Sequence, residues 1–203
     1  MKRAQASLLT LIAILAAATI ALGQSTTFKV RNVLDRSFRN EIEAAARYDQ
    51  FAAKAAEEGY PGAASLFRAG AEAERVHARR FEQAMRERGV DVPNFTPAEV
   101  KIGTTLENLR LSASLEVSER DGIYREGIDA AREARDEKLS GVFDQTRDTE
   151  VEHANLMQTA ARQLEQLRKP KAYHVCRECG YTTDVNLPMC VLCRSKKHPH
   201  TVE

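Results

Sequence analysis

The sequence predicts an all-α protein: a four-helix bundle followed by a small four-cysteine module. Three observations carry that expectation. Apolar residues recur at steps of three and four through four long segments. Glu-x-x-His occurs twice, as Glu74-Arg75-Val76-His77 and Glu150-Val151-Glu152-His153. All four cysteines lie beyond Leu167, as two Cys-x-x-Cys pairs.

The chain opens with Lys2 and Arg3, then an apolar stretch from about Leu8 to Leu22, then the small-residue sequence Ala21-Leu22-Gly23. That order is the pattern of a secretory signal peptide over 1–23 and places the protein outside the cytoplasm, in a periplasmic or similar compartment. An uncleaved membrane anchor is the competing reading, because the apolar stretch nears the roughly 20 residues that span a bilayer. No lipid-attachment cysteine follows it, and no twin arginines precede it.

The bundle is expected over 33–167. From Val33 to Gly59 one helical stripe holds Leu34, Phe38, Glu41, Ala45, Tyr48, Ala52 and Ala55. Gly59-Tyr60-Pro61-Gly62 ends that helix, and a second carries Ala63, Phe67, Gly70, Glu74, His77, Phe81 and Ala84 up to Gly89. Val90 to Ala98 has two prolines and no period, as a crossover loop would. A third helix is expected from about Thr104 to Arg135, with Leu109, Ser112, Glu116, Glu119 and Ile123 on its face and Gly122 and Gly127 as weak points. The fourth starts near Asp136 and carries Leu139, Phe143, Thr146, Glu150, His153, Met157, Ala160 and Leu164.

Residues i and i+3 share a helix face, so each Glu-x-x-His aims a carboxylate and an imidazole at one point. The spacing from Glu41 to Glu74 matches that from Glu116 to Glu150 to within one position, so the second helix pair repeats the first and adds Glu119. Two such pairs, with glutamates from two other helices, are the ligand set of a carboxylate-bridged di-iron or di-manganese centre. The candidate ligands are Glu41, Glu74, His77, Glu116, Glu119, Glu150 and His153. Glu43, Glu72 and Glu152 lie two positions from a ligand, hence on the solvent side. Burying several carboxylates costs several kcal/mol each unless cations neutralise them. Tyr48 and Tyr124 stand near ligand turns as candidate hydrogen-bond donors, or as ordinary core tyrosines.

The last module, 168–203, follows the helix-breaking run Arg168-Lys169-Pro170-Lys171. Cys176 and Cys179, then Cys190 and Cys193, form paired knuckles that suit one tetrahedral thiolate-bound ion, iron or zinc. Two disulfides are the alternative that export leaves open. His174, His198 and His200 read as solvated. Thirty Lys and Arg against 29 Asp and Glu give a net charge of +1, so no global field argues for nucleic acid or an anionic membrane surface.

With these residues in view the chain resembles the rubrerythrins, from about Leu34 to the C-terminus, through Glu41–Tyr48, Ala73–Phe81, Glu107–Glu119, Phe143–His153 and the rubredoxin-like cysteines. The resemblance implies a ferritin-like bundle with a non-haem di-iron centre held by the seven ligands above, a single iron at the four cysteines, and reduction of hydrogen peroxide to water. It also implies that Glu119 and His77 exchange at one iron with oxidation state, making them, with Glu41, the candidate catalytic residues. A homodimer follows from the family pattern, in which the thiolate iron lies far from its own subunit's di-iron site and near a neighbour's. Two departures stand out. The second knuckle, Cys190-Val191-Leu192-Cys193-Arg194, lacks the usual proline and glycine. Relatives also draw electrons ultimately from a cytoplasmic nicotinamide cofactor, so an exported protein needs another external donor. Ferroxidase or iron-handling activity and pure electron transfer are the rival functions.

Overall fold

This computed structural model describes residues 2–203, with side chains over 27–203. The 1–23 leader or anchor expected from the sequence therefore lies outside the residues whose side chains are described. Among the described residues, no helix is long and apolar enough to cross a membrane.

Five helices build the bundle: α1 (Lys2–Glu57), α2 (Pro61–Glu87), α3 (Thr105–Asp121), α4 (Ile123–Glu133) and α5 (Glu137–Arg162). Gly59 and Gly89 terminate α1 and α2 at φ of 78° and 63°, left-handed conformations that glycine adopts freely. Pro61 opens α2, where its missing N–H costs nothing. Thr104 and Glu107 cap α3 reciprocally, and Asp136 caps α5 by accepting from Leu139 N at 3.0 Å. Arg88, at the end of α2, donates to both oxygens of that same Asp136 at 2.8 and 2.9 Å, which ties two helix ends together.

The third helix expected over 104–135 is not continuous. It breaks at Gly122, which sits at φ −102° and ψ −95°. A Cβ there would meet the Ser118 carbonyl at 2.7 Å, so only glycine fits the break. The two pieces still cover one bundle edge: α3 and α4 both pack on α5, as α1 packs on α2.

The core is in two parts with a polar layer between them. One apolar cluster gathers Tyr48, Phe51, Phe67, Leu109 and Met157; the other gathers Leu34, Phe38, Phe81, Tyr124 and Phe143. On α1, α2 and α5 the candidate ligands fall in sequence between members of the two clusters, and Glu116 and Glu119 of α3 fall between Ala113 and, in α4, Tyr124. The carboxylates and imidazoles are thus sealed at both ends by hydrophobic plugs.

A 3-10 turn, Leu164–Arg168, leads to a three-stranded antiparallel sheet, β1 (Tyr173–Val175), β2 (Thr182–Thr183) and β3 (His200–Val202), in the order β2-β1-β3. The sheet is docked on the bundle: Leu167, Tyr173, Val175 and Val202 belong to the first apolar cluster. At Gly62 in α2, a Cβ would come within 2.6 Å of the Lys169 carbonyl, so the connecting turn lies flush on the helix.

Candidate metal centre

Four of the five helices, α1, α2, α3 and α5, contribute candidate ligands as polar residues that interrupt an otherwise apolar stripe. Glu41, Glu74, His77, Glu116, Glu150 and His153 are all buried. Their inward atoms form two overlapping groups. In one, Glu41, Glu74, His77 and Glu150 offer donor atoms all within 4.8 Å of one another; in the other, Glu74, Glu116, Glu150 and His153 do so. Glu74 and Glu150 are common to both groups. The arrangement has the logic of a pair of ions, each with one histidine and one carboxylate of its own and two carboxylates between them.

The local geometry supports occupation by cations. Glu41 Oε2, Glu74 Oε1, Glu116 Oε2, both oxygens of Glu150 and His153 Nδ1 are buried without a hydrogen-bond partner. Native proteins rarely leave such atoms orphaned. His77 Nδ1 lies 2.9 Å from Glu74 and 3.2 Å from Glu150, and His153 Nδ1 lies 2.8 Å from Glu150. The His77 Nδ1 contact with Glu74 is a hydrogen bond, whereas the Glu150 oxygens and His153 Nδ1 face one another without one.

Protonation reflects the same crowding. Burial pushes Glu41 well above the usual carboxylate range, and burial plus the charges of Glu74 and Glu150 does so for Glu116. Burial would raise Glu74 too, but His153 and His77 beside it hold it below that range. Burial opposes the charged forms of His77 and His153, yet the Glu150 carboxylate raises both well above an ordinary histidine. Protons here fill the role that cations take in a loaded site.

Glu119 differs from the other six candidates. It stands outside both ligand groups, only partly buried, where a surface cleft lined by Arg36, Arg39, Asn40 and Phe95 reaches the bundle. Burial, with Glu150 and Glu74 nearby, pushes its carboxyl up to about 8. Glu43, Glu72 and Glu152, assigned to the solvent side, are half-exposed rather than free; Glu72 contacts Arg79 at 3.4 Å.

The tyrosines flagged in the sequence are donors to ligands. The Tyr48 hydroxyl donates to Glu116 and the Tyr124 hydroxyl to Glu41, so each non-shared carboxylate is held by a tyrosine from the opposite helix pair. Sequence reasoning missed the groups behind the histidines. His77 Nε2 donates to the Cys179 carbonyl at 3.1 Å and to Thr149 Oγ1 at 2.9 Å, while Thr149 gives its own proton to the Thr146 carbonyl. His153 Nε2 donates to the Gly180 carbonyl at 3.3 Å and to Thr182 Oγ1 at 3.2 Å, while Thr182 gives its proton to Gly180. Both imidazoles therefore keep a hydrogen on Nε2 and turn Nδ1 to the centre. Thr149 lies one residue before Glu150, off the apolar stripe that periodicity picks out, and nothing in the sequence signals Thr182.

No disulfide joins the four cysteines, whose Sγ separations of 3.6 Å for Cys176–Cys193 and Cys179–Cys190 are far beyond such a bond. A tetrahedron with sulfurs about 2.3 Å from its centre has edges near ~3.8 Å, so the set fits one ion. The knuckles are near copies. Gly180 N–H donates to Cys176 O at 2.9 Å, and Arg194 N–H to Cys190 O at 3.0 Å. Arg194 adopts φ 62° where the first knuckle has Gly180 at 81°, so the turn survives the missing glycine at a cost of about 1–2 kcal/mol. Arg80, half-buried beside Cys179 and Cys193, donates to Gln145 at 2.7 Å and makes no carboxylate pair among the described residues.

The contact between Cys179 and His77 corrects one expectation. The thiolate module is not remote from the carboxylate centre of its own chain; it touches both histidines. The linker between α5 and β1 is short and lies on α2, which holds the module there.

Comparison with known proteins fits this geometry. The family model described as Rubrerythrin matches residues 32–174. The chain belongs to the rubrerythrin family. It is 32% identical to a rubrerythrin of Porphyromonas gingivalis over 84% of this chain and 86% of that one, and 29% identical to a rubrerythrin of Nitratidesulfovibrio vulgaris over 83% and 89%. Among solved structures, mixed-valent nigerythrin superposes with a TM-score of 0.76 at 27% identity, over 85% of this chain and 86% of that one. A bacterioferritin of Mycobacterium tuberculosis shares the fold of the bundle, with a TM-score of 0.61 at 19% identity over 68% of this chain and 87% of that one. Membership in the rubrerythrin family accounts for the ferritin-like bundle, the carboxylate and histidine centre, and the rubredoxin-like cysteine cluster.

Proposed function

We propose that this rubrerythrin is a non-haem di-iron peroxidase that reduces hydrogen peroxide to water, with electrons entering through an Fe(Cys)4 centre. One observation carries the reading: the four-thiolate cluster is hydrogen-bonded, through the Cys179 carbonyl, to a histidine of the carboxylate centre. A storage protein has no use for such a junction. Iron as the metal is supported by nigerythrin, which has been solved in an all-ferrous state.

Glu41, Glu74, His77, Glu116, Glu150 and His153 would hold the di-iron pair, with Glu119 available from the cleft, and Cys176, Cys179, Cys190 and Cys193 the single iron. When bound, the pair supplies two electrons for O–O cleavage and the thiolate iron returns them singly from an external one-electron donor. The chain's own residues do the rest. Glu119, pushed up to about 8, holds a proton at the surface cleft, the side from which we have a small substrate approach. Tyr48 and Tyr124, raised well above an ordinary phenol by burial, stay protonated and keep Glu116 and Glu41 oriented. Two protons and two electrons convert each peroxide to two waters.

The export-type leader places this chemistry outside the cytoplasm in our reading, with a donor other than a nicotinamide cofactor. A homodimer is carried over from the family. Ferroxidase activity is the rival. Anaerobic stopped-flow mixing of the reduced protein with peroxide, then with dioxygen, decides between them. Faster oxidation by peroxide is the expected result; a growing ferric core after Fe(II) and dioxygen would replace the peroxidase with iron handling.

A further inference from the structure

We infer that the cysteine module is a positioning element for the histidines of the bundle, so that loading a metal at the four cysteines raises the metal affinity of the carboxylate centre. This rests on the reading of the bundle as a metal centre, and extends it to how the two sites regulate one another.

The observations are the partners of the two Nε2 atoms. A histidine binds metal through one nitrogen only when its ring is correctly turned, and the hydrogen bond at the other nitrogen fixes that orientation. For His77 one acceptor belongs to the bundle, Thr149, and one to the module, the Cys179 carbonyl. For His153 both acceptors are given by the module: the Gly180 carbonyl and Thr182 Oγ1. These carbonyls sit at the turn that closes the first cysteine knuckle, where Gly180 N–H returns to Cys176 O. A thiolate knuckle this small owes its shape to its metal. The close approach is built in: Gly180 has φ 81°, and a Cβ on it would collide with His77 Nε2.

One consequence follows from the asymmetry and one from the coupling itself. Loss of module structure should weaken the His153 half of the centre more than the His77 half. By linkage, metal in the bundle must tighten metal at the cysteines by the same factor.

Mn(II) tests this in the full chain, because a hard cation suits carboxylate and imidazole rather than thiolate, so it reports on the bundle alone. Metal-free protein is titrated with Mn(II), free Mn(II) being read by EPR, with and without one equivalent of Zn(II) at the cysteines. We expect Zn(II) to tighten Mn(II) binding by about 10–100-fold, the usual effect of an outer hydrogen-bond partner on a metal site. Thr182→Val, which keeps the packing shape and removes the acceptor, should lose most of the gain at one of the two Mn(II) sites, and Thr182→Ser should restore it. Gly180→Ala should lose the gain at both. Unchanged Mn(II) affinity with and without Zn(II) in the wild-type chain overturns the inference while leaving the metal-centre reading intact. No Mn(II) uptake under either condition overturns both.

Discussion

Glu74 and Glu72 differ by two positions and by the whole of their environment. Glu74 is buried with an orphaned oxygen between two histidines, whereas Glu72 is half-exposed beside Arg79. Replacing Glu74 or Glu150 by Ala removes a carboxylate shared by both ligand groups, so metal analysis should find one ion or none in the bundle instead of two. Glu72→Ala and Glu152→Ala should keep full occupancy and change stability by no more than about 0.5 kcal/mol. Equal metal loss in both sets would sink the assignment of inward and outward faces. The tyrosines and threonines show how much a single hydroxyl decides: each one either orients a carboxylate or fixes the nitrogen that a histidine offers.

At the scale of the element, two glycines in neighbouring helices have opposite roles. Gly127 in α4 lets the Phe143 ring of α5 lie on its backbone; a Cβ would come within 2.5 Å of that ring. Gly141, inside α5, has nothing within 4 Å of its would-be Cβ. Thermal or urea unfolding should therefore show Gly127→Ala destabilising by about 1–3 kcal/mol through overpacking. Gly141→Ala should stabilise by about 0.4–1 kcal/mol, because it removes backbone freedom from the unfolded chain at no steric cost. A loss at both positions would mean that α5 is packed on the side now assigned to solvent. The split of α3 from α4 at Gly122 belongs here too: the glycine marked the weak point, and the Ser118 carbonyl decided that the chain would turn there.

For the whole molecule, the centre couples stability to pH. In the metal-free protein Glu119 is raised from 4.5 to about 8, and Glu41 and Glu116 are raised as well. Below about pH 4.5 folded and unfolded chains both hold these protons, so the groups contribute nothing; above it the unfolded chain has released them and the folded one has not. The unfolded state then binds fewer protons, and stability falls as pH rises. His77 and His153, raised in the fold, act in the same direction once unfolded histidines deprotonate near pH 6.5. The melting temperature of chelator-treated protein should thus drop between pH 5 and pH 8, and the gain from added metal should grow over that interval as ions replace protons. A flat profile would mean that these carboxylates are not crowded. The two modules should also separate kinetically: Cys179→Ser should leave the first oxidation of the reduced centre by peroxide intact and block repeated turnover with an external one-electron donor. Protein from the cell envelope should begin near Gln24, as intact mass would show; an N-terminus at Met1 in a membrane fraction would favour the anchor.

Periodicity alone determined the bundle and the burial of six candidate ligands, because a helix of fixed pitch turns spacing into facing and an apolar stripe must point inward. It also placed Glu72 and Glu152 off that stripe, and Tyr48 and Tyr124 close to the ligands. Four cysteines at knuckle spacing declared a second site for the same reason, since a tight turn leaves little choice of geometry. Only the tertiary structure decided that Glu119 stands at a cleft rather than within the ligand groups, that α3 and α4 are separate, and that the cysteine module rests on its own bundle. Those outcomes depend on contacts between residues distant in the chain, such as Gly180 on His77 and Thr182 on His153, and no local repeat encodes which carbonyl will meet which imidazole.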